Sequence, residues 1–490
     1  MPFDFELLSA KMRAAAAAPH APPSQPLPPV YAALDYDAYR MMQFDPERAW
    51  WRGDAAGCEV QAFAPGWLYL EPVQLFEVDG GEARPIPFGA DDFNIFDPQL
   101  AEAVNAAPFP GVAGFRLNYP LNRPDWQDEL VSFLGASYFR ALGRGNVYGL
   151  SARGLLLNSW REGAEEFPRF SEFYLERPTP GAPIVVYAAL ESESVTGAYR
   201  FTIHPASEAV QETVMEVACR LYFRHDVAEL GIAPLTSMFL FAEVNRAEHD
   251  DYRPQVHDSN GLLMVGESGE PKWRPLSNTS TLGNTYLWDA DVQSFGLYQR
   301  GRDFATYQDA GAHYERRPSA RVEPIEPFGQ GTVRLIEIPA SLEADDNIVA
   351  CFIPAEPVKA GEERSYHYRL VWGDLDPVPE APLAYVAETR GGRGGVSGVD
   401  NADALRKFVI DFKGGVLADT AFDMPLEVVA DASAGRIVST TLSRIAANGA
   451  WRLVLDLDTT GTDLVELRAG VASDGEALTE TWIYQWRRAA

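Results

Sequence analysis

The segment Tyr252-Arg-Pro-Gln-Val-His-Asp-Ser-Asn-Gly261 brings an aromatic ring, a guanidinium, an imidazole and a carboxylate into one loop punctuated by proline and glycine. A carboxyl such as Asp258 can hand a proton to a leaving group while a second carboxylate activates water. Glycosidic cleavage with inversion needs such a pair about 6.5–9.5 Å apart. Downstream, Trp273-Arg274 and Arg300-Gly-Arg302-Asp303-Phe304 again interleave aromatic and charged side chains. Aromatic faces stack on pyranose rings and Arg and Asp fork to hydroxyls, so the three segments together suit the wall of a sugar cleft. The same composition also suits surface loops with ordinary ion pairs, and Asp258 suits a carboxylate that caps its own loop. His257 reads as a hydrogen-bond partner that orients its neighbours.

The apolar run 233–241 precedes this loop, so a strand delivers it from a scaffold able to hold it still. Further strands are expected at 67–70, 72–78, 184–190, 197–203, 211–223 and 332–338. Helices are expected at 35–42, 98–106 and 125–141, the last because acids open it and Gly143 follows it. Many strands and few helices predict an all-β fold, buried as stacked sheets or a closed barrel. The Pro- and Ala-rich residues 1–29 read as a flexible arm, and the Pro- and acid-rich stretch 374–382 as a linker after a sandwich spanning 30–373. Residues 383–490 carry short alternating strands at 407–412, 426–430, 437–442, 451–457 and 479–486, the pattern of an immunoglobulin-like sandwich.

The chain has 490 residues with 41 basic against 70 acidic side chains, a formal charge of −29. That charge disfavours phosphate backbones and anionic lipid, so nucleic acid is not an expected partner, whereas a neutral glucan meets no such penalty. No run of about 18 apolar residues is present to span a bilayer. The acidic start Met1-Pro-Phe-Asp-Phe-Glu does not read as a secretory leader. Cys58, Cys219 and Cys351 lack metal spacing and read as buried small apolar residues. With no Walker loop, dinucleotide fingerprint, His-Glu-x-x-His or Gly-x-Ser-x-Gly, no cofactor is implied.

Longer stretches resemble a known family. Gly114-Phe-Arg-Leu-Asn-Tyr-Pro-Leu-Asn-Arg-Pro124, Phe133-Leu-Gly-Ala-Ser-Tyr-Phe-Arg140, Val147-Tyr-Gly-Leu-Ser-Ala-Arg-Gly154, Glu165-Glu-Phe-Pro168, the 252–261 loop and Asp345-Asp-Asn-Ile-Val349 occur in colinear order. In these the chain is similar to the periplasmic glucan biosynthesis family, the OpgG and OpgD (MdoG and MdoD) proteins. The resemblance implies a large N-terminal β-sandwich of the galactose-mutarotase-like, supersandwich kind, followed by an immunoglobulin-like domain. It also implies export to the periplasm and a part in making osmoregulated β-1,2-linked glucans, either as an inverting hydrolase or transglycosylase or as a non-catalytic glucan-binding factor serving a membrane-bound glucan synthase. On this resemblance Asp258 is the general acid and Glu166 the general base. Tyr252, Arg253, His257, Trp273, Arg274, Arg302, Asp303, Tyr119 and Arg123 are candidates for glucose subsites. The chain departs from the D-type pattern in having Glu at 166 where Asp is usual, an added Ala164, Gln255 where Glu is common, and an extended acidic loop over 242–251.

Overall fold

Along the strand Thr213–Phe223 buried and half-buried side chains alternate over 213–220 before the strand sinks into the core. This period-two pattern is what a strand with one face on a core must show. It recurs through a computed structural model of the chain, which describes residues 1–21, 26–159, 165–375, 382–395, 404–420 and 424–488. The fold is all-β. It divides into two compact units, one of Met1–Pro234, Val322–Phe328 and Phe352–Gly373, the other of Leu235–Arg321, Gly329–Cys351 and Asp374–Ala490.

In the first unit, Glu363–Gly373, Thr213–Phe223, Val195–His204, Ile184–Glu191 and Arg169–Glu176 pair antiparallel in that order. Gln74–Asp79 joins them in parallel. A second sheet runs Glu59–Phe63, Gly114–Tyr119, Asp128–Leu134, Tyr138–Ala141 and Ser151–Arg153. Phenylalanines fill the space between them: Phe115 meets Phe173 edge-on at 5.0 Å, and Phe133 and Phe139 both reach Phe201 at 5.2 Å. Offset and edge-on ring pairs of this kind add about 0.5–1.5 kcal/mol each to their burial.

Three local expectations are corrected here. Residues 125–141 are not a helix. They form the hairpin Asp128–Leu134 and Tyr138–Ala141, because Leu130, Val131, Phe133 and Phe139 must all enter the core while Gly135 (φ +80°) makes the turn. The strand expected at 67–70 is a tight turn closed by the Gly66–Tyr69 bridge, with Trp67 at φ +53°. Residues 5–16 of the expected flexible arm form a helix. Phe5–Ala16 is capped by Asp4, whose side chain accepts from the Leu7 amide at 2.7 Å, and it buries Leu8 and Met12 in the cluster of Tyr174, Tyr222 and Ala198. Phe3 stacks on Tyr174 at 4.0 Å. The helix at Pro98–Ala106 is as expected, whereas that at 35–42 is reduced to Tyr36–Tyr39 before the strand Met42–Phe44.

In the second unit, Pro271–Pro275, Gly261–Val265 and Ser294–Tyr298 form an antiparallel sheet. Thr481–Arg487 extends it in parallel beside Pro271–Pro275, followed by Leu464–Ser473 and Glu427–Ala432. A four-stranded sheet of Tyr385–Arg393, Leu405–Lys413, Trp451–Asp458 and Arg436–Arg444 packs Phe408 against Trp482 and Tyr484 of the first, at 5.8 and 5.3 Å. The last crossing between the compact units falls at Gly373/Asp374, at the start of the expected linker 374–382, and the second unit also takes in Leu235–Arg321 and Gly329–Cys351; residues 376–381 lie outside the described residues.

Candidate functional site

Each unit carries part of the chemistry read in the sequence. In the first unit, Glu166 bridges to Leu157 of the strand Leu156–Leu157 and lies at the wall of a cleft of about 560 Å³. Tyr69, Tyr138 and Phe167 also line this cleft, and Phe167 is 52% exposed. Arg153 is sandwiched between Tyr138 and Phe167, 4.5 and 5.5 Å from their ring centres, and donates to Glu165 at 3.1 Å. Glu165 also accepts from Ser159 at 2.7 Å, which fixes it beside the wall. Both Glu166 oxygens accept from Ser194, from its amide at 2.7 Å and its hydroxyl at 2.6 Å. A carboxylate held at both oxygens has a fixed orientation, and neighbouring Glu71, Glu191 and Glu193 make the mouth acidic. Such a cleft repels anions and offers stacking faces beside acceptors, the combination a neutral sugar uses. Gly163 and Ala164 lie outside the described residues. Tyr119 ends the strand Gly114–Tyr119, and Arg123 lies exposed in the following turn, 3.8 Å from Asp125 and over the Trp126 ring; neither lines this cleft.

In the second unit, the short strand Val256–His257 pairs with Phe239–Phe241, and the Asp258 amide donates to the Met238 carbonyl at 2.8 Å. His257 is fully buried between Phe239, stacked at 5.5 Å, and the edge of Tyr307 at 5.3 Å. Its Nδ1 and Nε2 lie 2.7 and 2.8 Å from the side-chain amides of Gln299 and Gln255. Burial, reinforced by the positive charge of Arg317, pushes the imidazole pKa down to about 3. Beside it Asp258 is buried and its carboxylate is ion-paired with Arg317, which also donates to the Ala312 carbonyl and covers the Tyr314 ring at 4.3 Å.

The remaining candidates take other positions. Tyr252 is 77% exposed. Arg253 is held among Asp251, Asp309 and Glu343 at 2.7, 2.9 and 2.5 Å, and these partners raise its pKa, Asp251 foremost. Arg302 pairs with Asp374 at 3.0 Å and donates to Ser319, while Asp303 is exposed at the start of Phe304–Tyr307. Trp273 and Arg274, also expected to contact sugar, lie deep in the unit. Trp273 is 2% exposed beneath the Arg300 guanidinium, 3.5 Å from its ring centre, so it has no open face for stacking. Arg274 is 1% exposed and paired at 2.9 Å with Glu337, which also accepts from the Ser277 amide. Local sequence reasoning missed Arg317, Gln299 and Tyr138. Arg317 lies 59 residues from its partner Asp258, beyond the reach of any spacing rule.

Comparison with known proteins fits this picture. Residues 3–486 match the family described as "Periplasmic glucan biosynthesis protein, MdoG". The chain is similar to "Glucans biosynthesis protein G" of Cereibacter sphaeroides, with 50% identity over 488 residues, covering 99% of this chain and 89% of the relative. It is similar to the proteins of the same name from Rhodopseudomonas palustris, 42% identical over 489 residues (99% and 93% covered), and Shewanella frigidimarina, 40% identical over 485 residues (99% and 84% covered). Among the described residues no helix is long and apolar enough to cross a membrane.

Proposed function

The chain belongs to the periplasmic glucan biosynthesis family, and on that premise we propose that it works in the periplasm on β-1,2-linked glucan, gripping the chain and cleaving or transferring it with inversion. The observation that carries this reading is the cleft with Tyr69, Tyr138 and Phe167 around the oriented carboxylate of Glu166. In the proposed chemistry Glu166 activates the attacking water or sugar hydroxyl as general base, and Asp258 protonates the leaving oxygen as general acid. Tyr252, Arg302 and Asp303 remain proposed sugar contacts in the second unit, and Tyr119 and Arg123 in the first.

A second reading is favoured by one specific contact. Asp258 is occupied by an ion pair with Arg317, which suits a non-catalytic factor that binds nascent glucan for a membrane-bound synthase. The two readings separate on turnover. Linear β-1,2-glucan incubated with the protein should yield shorter or cyclic products. Asp258→Asn, which keeps shape but has no transferable proton, should lower the rate by about 10²-fold or more while binding stays within a few-fold. If the parent gives no products and Asp258→Asn alters affinity alone, the enzymatic reading fails and the binding factor stands.

A further inference from the structure

In the first unit, the orientation of Glu166 depends on a hairpin loop. Ser192, Glu193 and Ser194 join the strands Ile184–Glu191 and Val195–His204, and the loop is closed by the Ser192 amide donating to the Val195 carbonyl at 2.9 Å. From this loop Ser194 supplies both hydrogen bonds that fix Glu166, at 2.7 Å from its amide and 2.6 Å from its hydroxyl. Ser192 and Glu193 line the cleft beside it. Loops are the mobile parts of a sheet protein, so the Glu166 carboxylate is placed no better than the loop that holds it.

Arg224 fixes that loop. It follows the strand Thr213–Phe223, whose last residue pairs with Val195, and its backbone amide donates to the Ser194 carbonyl at 2.8 Å. Through Nη1 the guanidinium donates to the Ser192 and Val195 carbonyls, at 2.6 and 3.4 Å. The rest of the same fork meets the end of the N-terminal helix Phe5–Ala16: Nη2 donates to the Ala15 carbonyl at 3.0 Å and Nε to the Ala18 carbonyl at 2.8 Å. Carbonyls left over at a helix C-terminus carry partial negative charge and favour a cation. The helix itself is seated by Leu8 and Met12 in the aromatic cluster, and the Met12 carbonyl accepts from the Thr196 hydroxyl at 2.7 Å. Burial lowers the Arg224 pKa, and the charges of Glu191 and Glu166 oppose that shift, so the cation lies within the field of the carboxylate whose loop it holds.

We propose that Arg224 is a positioning residue for Glu166: by bridging the end of the N-terminal helix to the 192–195 loop it sets where the carboxylate stands in the cleft, and the docked helix is thereby part of the machinery that handles glucan. The inference rests on the reading of Glu166 as general base. One planar fork serves four carbonyls on two separate segments, a task that a lysine, with a compact ammonium on a flexible stem, cannot reproduce. Once the loop is freed, Ser194 and Glu166 shift together, and a displacement of about 1 Å at a reacting group can cost about 10²-fold in rate. A residue that only held the fold would change stability and leave the folded fraction with its ordinary turnover.

The test is a double-mutant cycle in the full chain, read on cleavage of linear β-1,2-glucan. Arg224→Met should lower kcat by about 10-fold or more and leave KM within about 3-fold, with Arg224→Lys intermediate. In Glu166→Gln the further change Arg224→Met should alter the rate by less than about 2-fold, because the carboxylate it positions is gone. Leu8→Asp, which loosens the helix, should reproduce the kcat loss and add little to Arg224→Met. Native-state hydrogen exchange follows the loop directly: the Ser194 amide should exchange about 10-fold faster or more in Arg224→Met while the amides of Thr213–Phe223 keep their protection. Should Arg224→Met fail to fold, Arg224→Lys is carried through the same cycle. If the parent yields no products, the cycle is read on glucan affinity by titration calorimetry, with the same non-additivity expected. Full turnover in Glu166→Gln, with Ser194 exchange still governed by Arg224, overturns the general-base reading and leaves the positioning, which the exchange then carries. Where Glu166→Gln does impair turnover, a parental kcat in Arg224→Met, equal losses with and without Glu166→Gln, or an unchanged Ser194 amide overturns the proposal.

Discussion

Lowering the pH tests the buried arrangement behind Asp258, through its neighbour His257. The imidazole is held neutral, its pKa pushed from an ordinary 6.5 down to about 3, chiefly by burial. The unfolded chain takes up a proton near pH 6.5 that the folded protein refuses until about pH 3. Stability from this group is therefore complete above pH 6.5 and lost as pH falls, with a slope of up to about 1.4 kcal/mol per pH unit. At pH 5 the loss comes to about 2 kcal/mol. The hydrogen bonds specify the tautomer as well. Gln299 donates to the His257 and Tyr314 carbonyls at 2.7 and 3.2 Å, so its oxygen is left to accept from Nδ1–H, while Nε2 lies 2.8 Å from the Gln255 side-chain oxygen. The Gln255 side-chain amide donates in turn to Glu388 at 3.3 Å. Burial raises the Glu388 pKa and nearby Glu243 adds to this, while Arg390, the Thr389 amide and the Gln255 amide oppose it. The assay compares guanidinium unfolding of the parent and His257→Gln between pH 7 and pH 4, alongside ring ¹⁵N shifts assigned with the same variant. The variant should lack the extra acid slope, and the parent ring should stay neutral and Nδ1-protonated to below about pH 4. A ring that titrates near 6.5, or equal slopes for the two proteins, would refute the reasoning.

Two stability predictions concern residues whose sequence context suggested sugar contact. Trp273→Ala should cost about 3–5 kcal/mol in unfolding experiments, as an enclosed ring beneath Arg300 requires, with glucan affinity of the folded fraction little changed; a large loss of affinity at unchanged stability would return Trp273 to the cleft. Glu337→Gln should cost about 3–5 kcal/mol by leaving Arg274 unpaired out of water, and the double change Arg274→Met with Glu337→Leu should recover most of it; additive losses in thermal melts would contradict the pairing.

The parts of the fold legible in the sequence are those where a local pattern has one structural solution. Alternation over Thr213–Phe223 permits only a half-buried strand, and Asp97 followed by Pro98 makes a helix start, with the Asp97 side chain accepting from the Gln99 and Leu100 amides at 2.8 and 2.9 Å. Misreadings arose where two patterns competed. Acids ahead of 128–141 mimicked a helix N-terminus, although Gly135 and the aromatic residues around it specify a hairpin. The alanine run at 14–18 masked the apolar stripe of Leu8 and Met12, which lie one helical turn apart. For the site, the 252–261 loop was legible as chemistry, but the state of its charges was not. Arg253 looks free in the sequence, yet Asp309 and Glu343, 56 and 90 residues away, close around it. Pairings over such distances are set by the topology of the sheets and have no local signature.

The same limit explains why the loop composition alone could not choose between catalysis and binding. Asp258 beside His257 suggests a proton donor next to a base, but the folded protein separates the two functions. The imidazole is turned into a closed amide network and held neutral, so it neither takes a proton from Asp258 nor returns one. The carboxylate faces Arg317 instead, and Arg317 is tethered to the Ala312 carbonyl and seated on Tyr314. A general acid must arrive at the transition state protonated, and a tethered guanidinium works against that. Turnover by Asp258 therefore requires Arg317 to leave the carboxylate when glucan binds, whereas a binding factor requires no such movement. Arg317→Gln distinguishes the two: it should raise the fraction of Asp258 that holds a proton and shift the pH–rate profile of cleavage toward higher pH. In a binding factor the same change leaves glucan affinity without a matching pH shift, and a cleaving enzyme whose profile ignores Arg317 would remove Asp258 from the acid role.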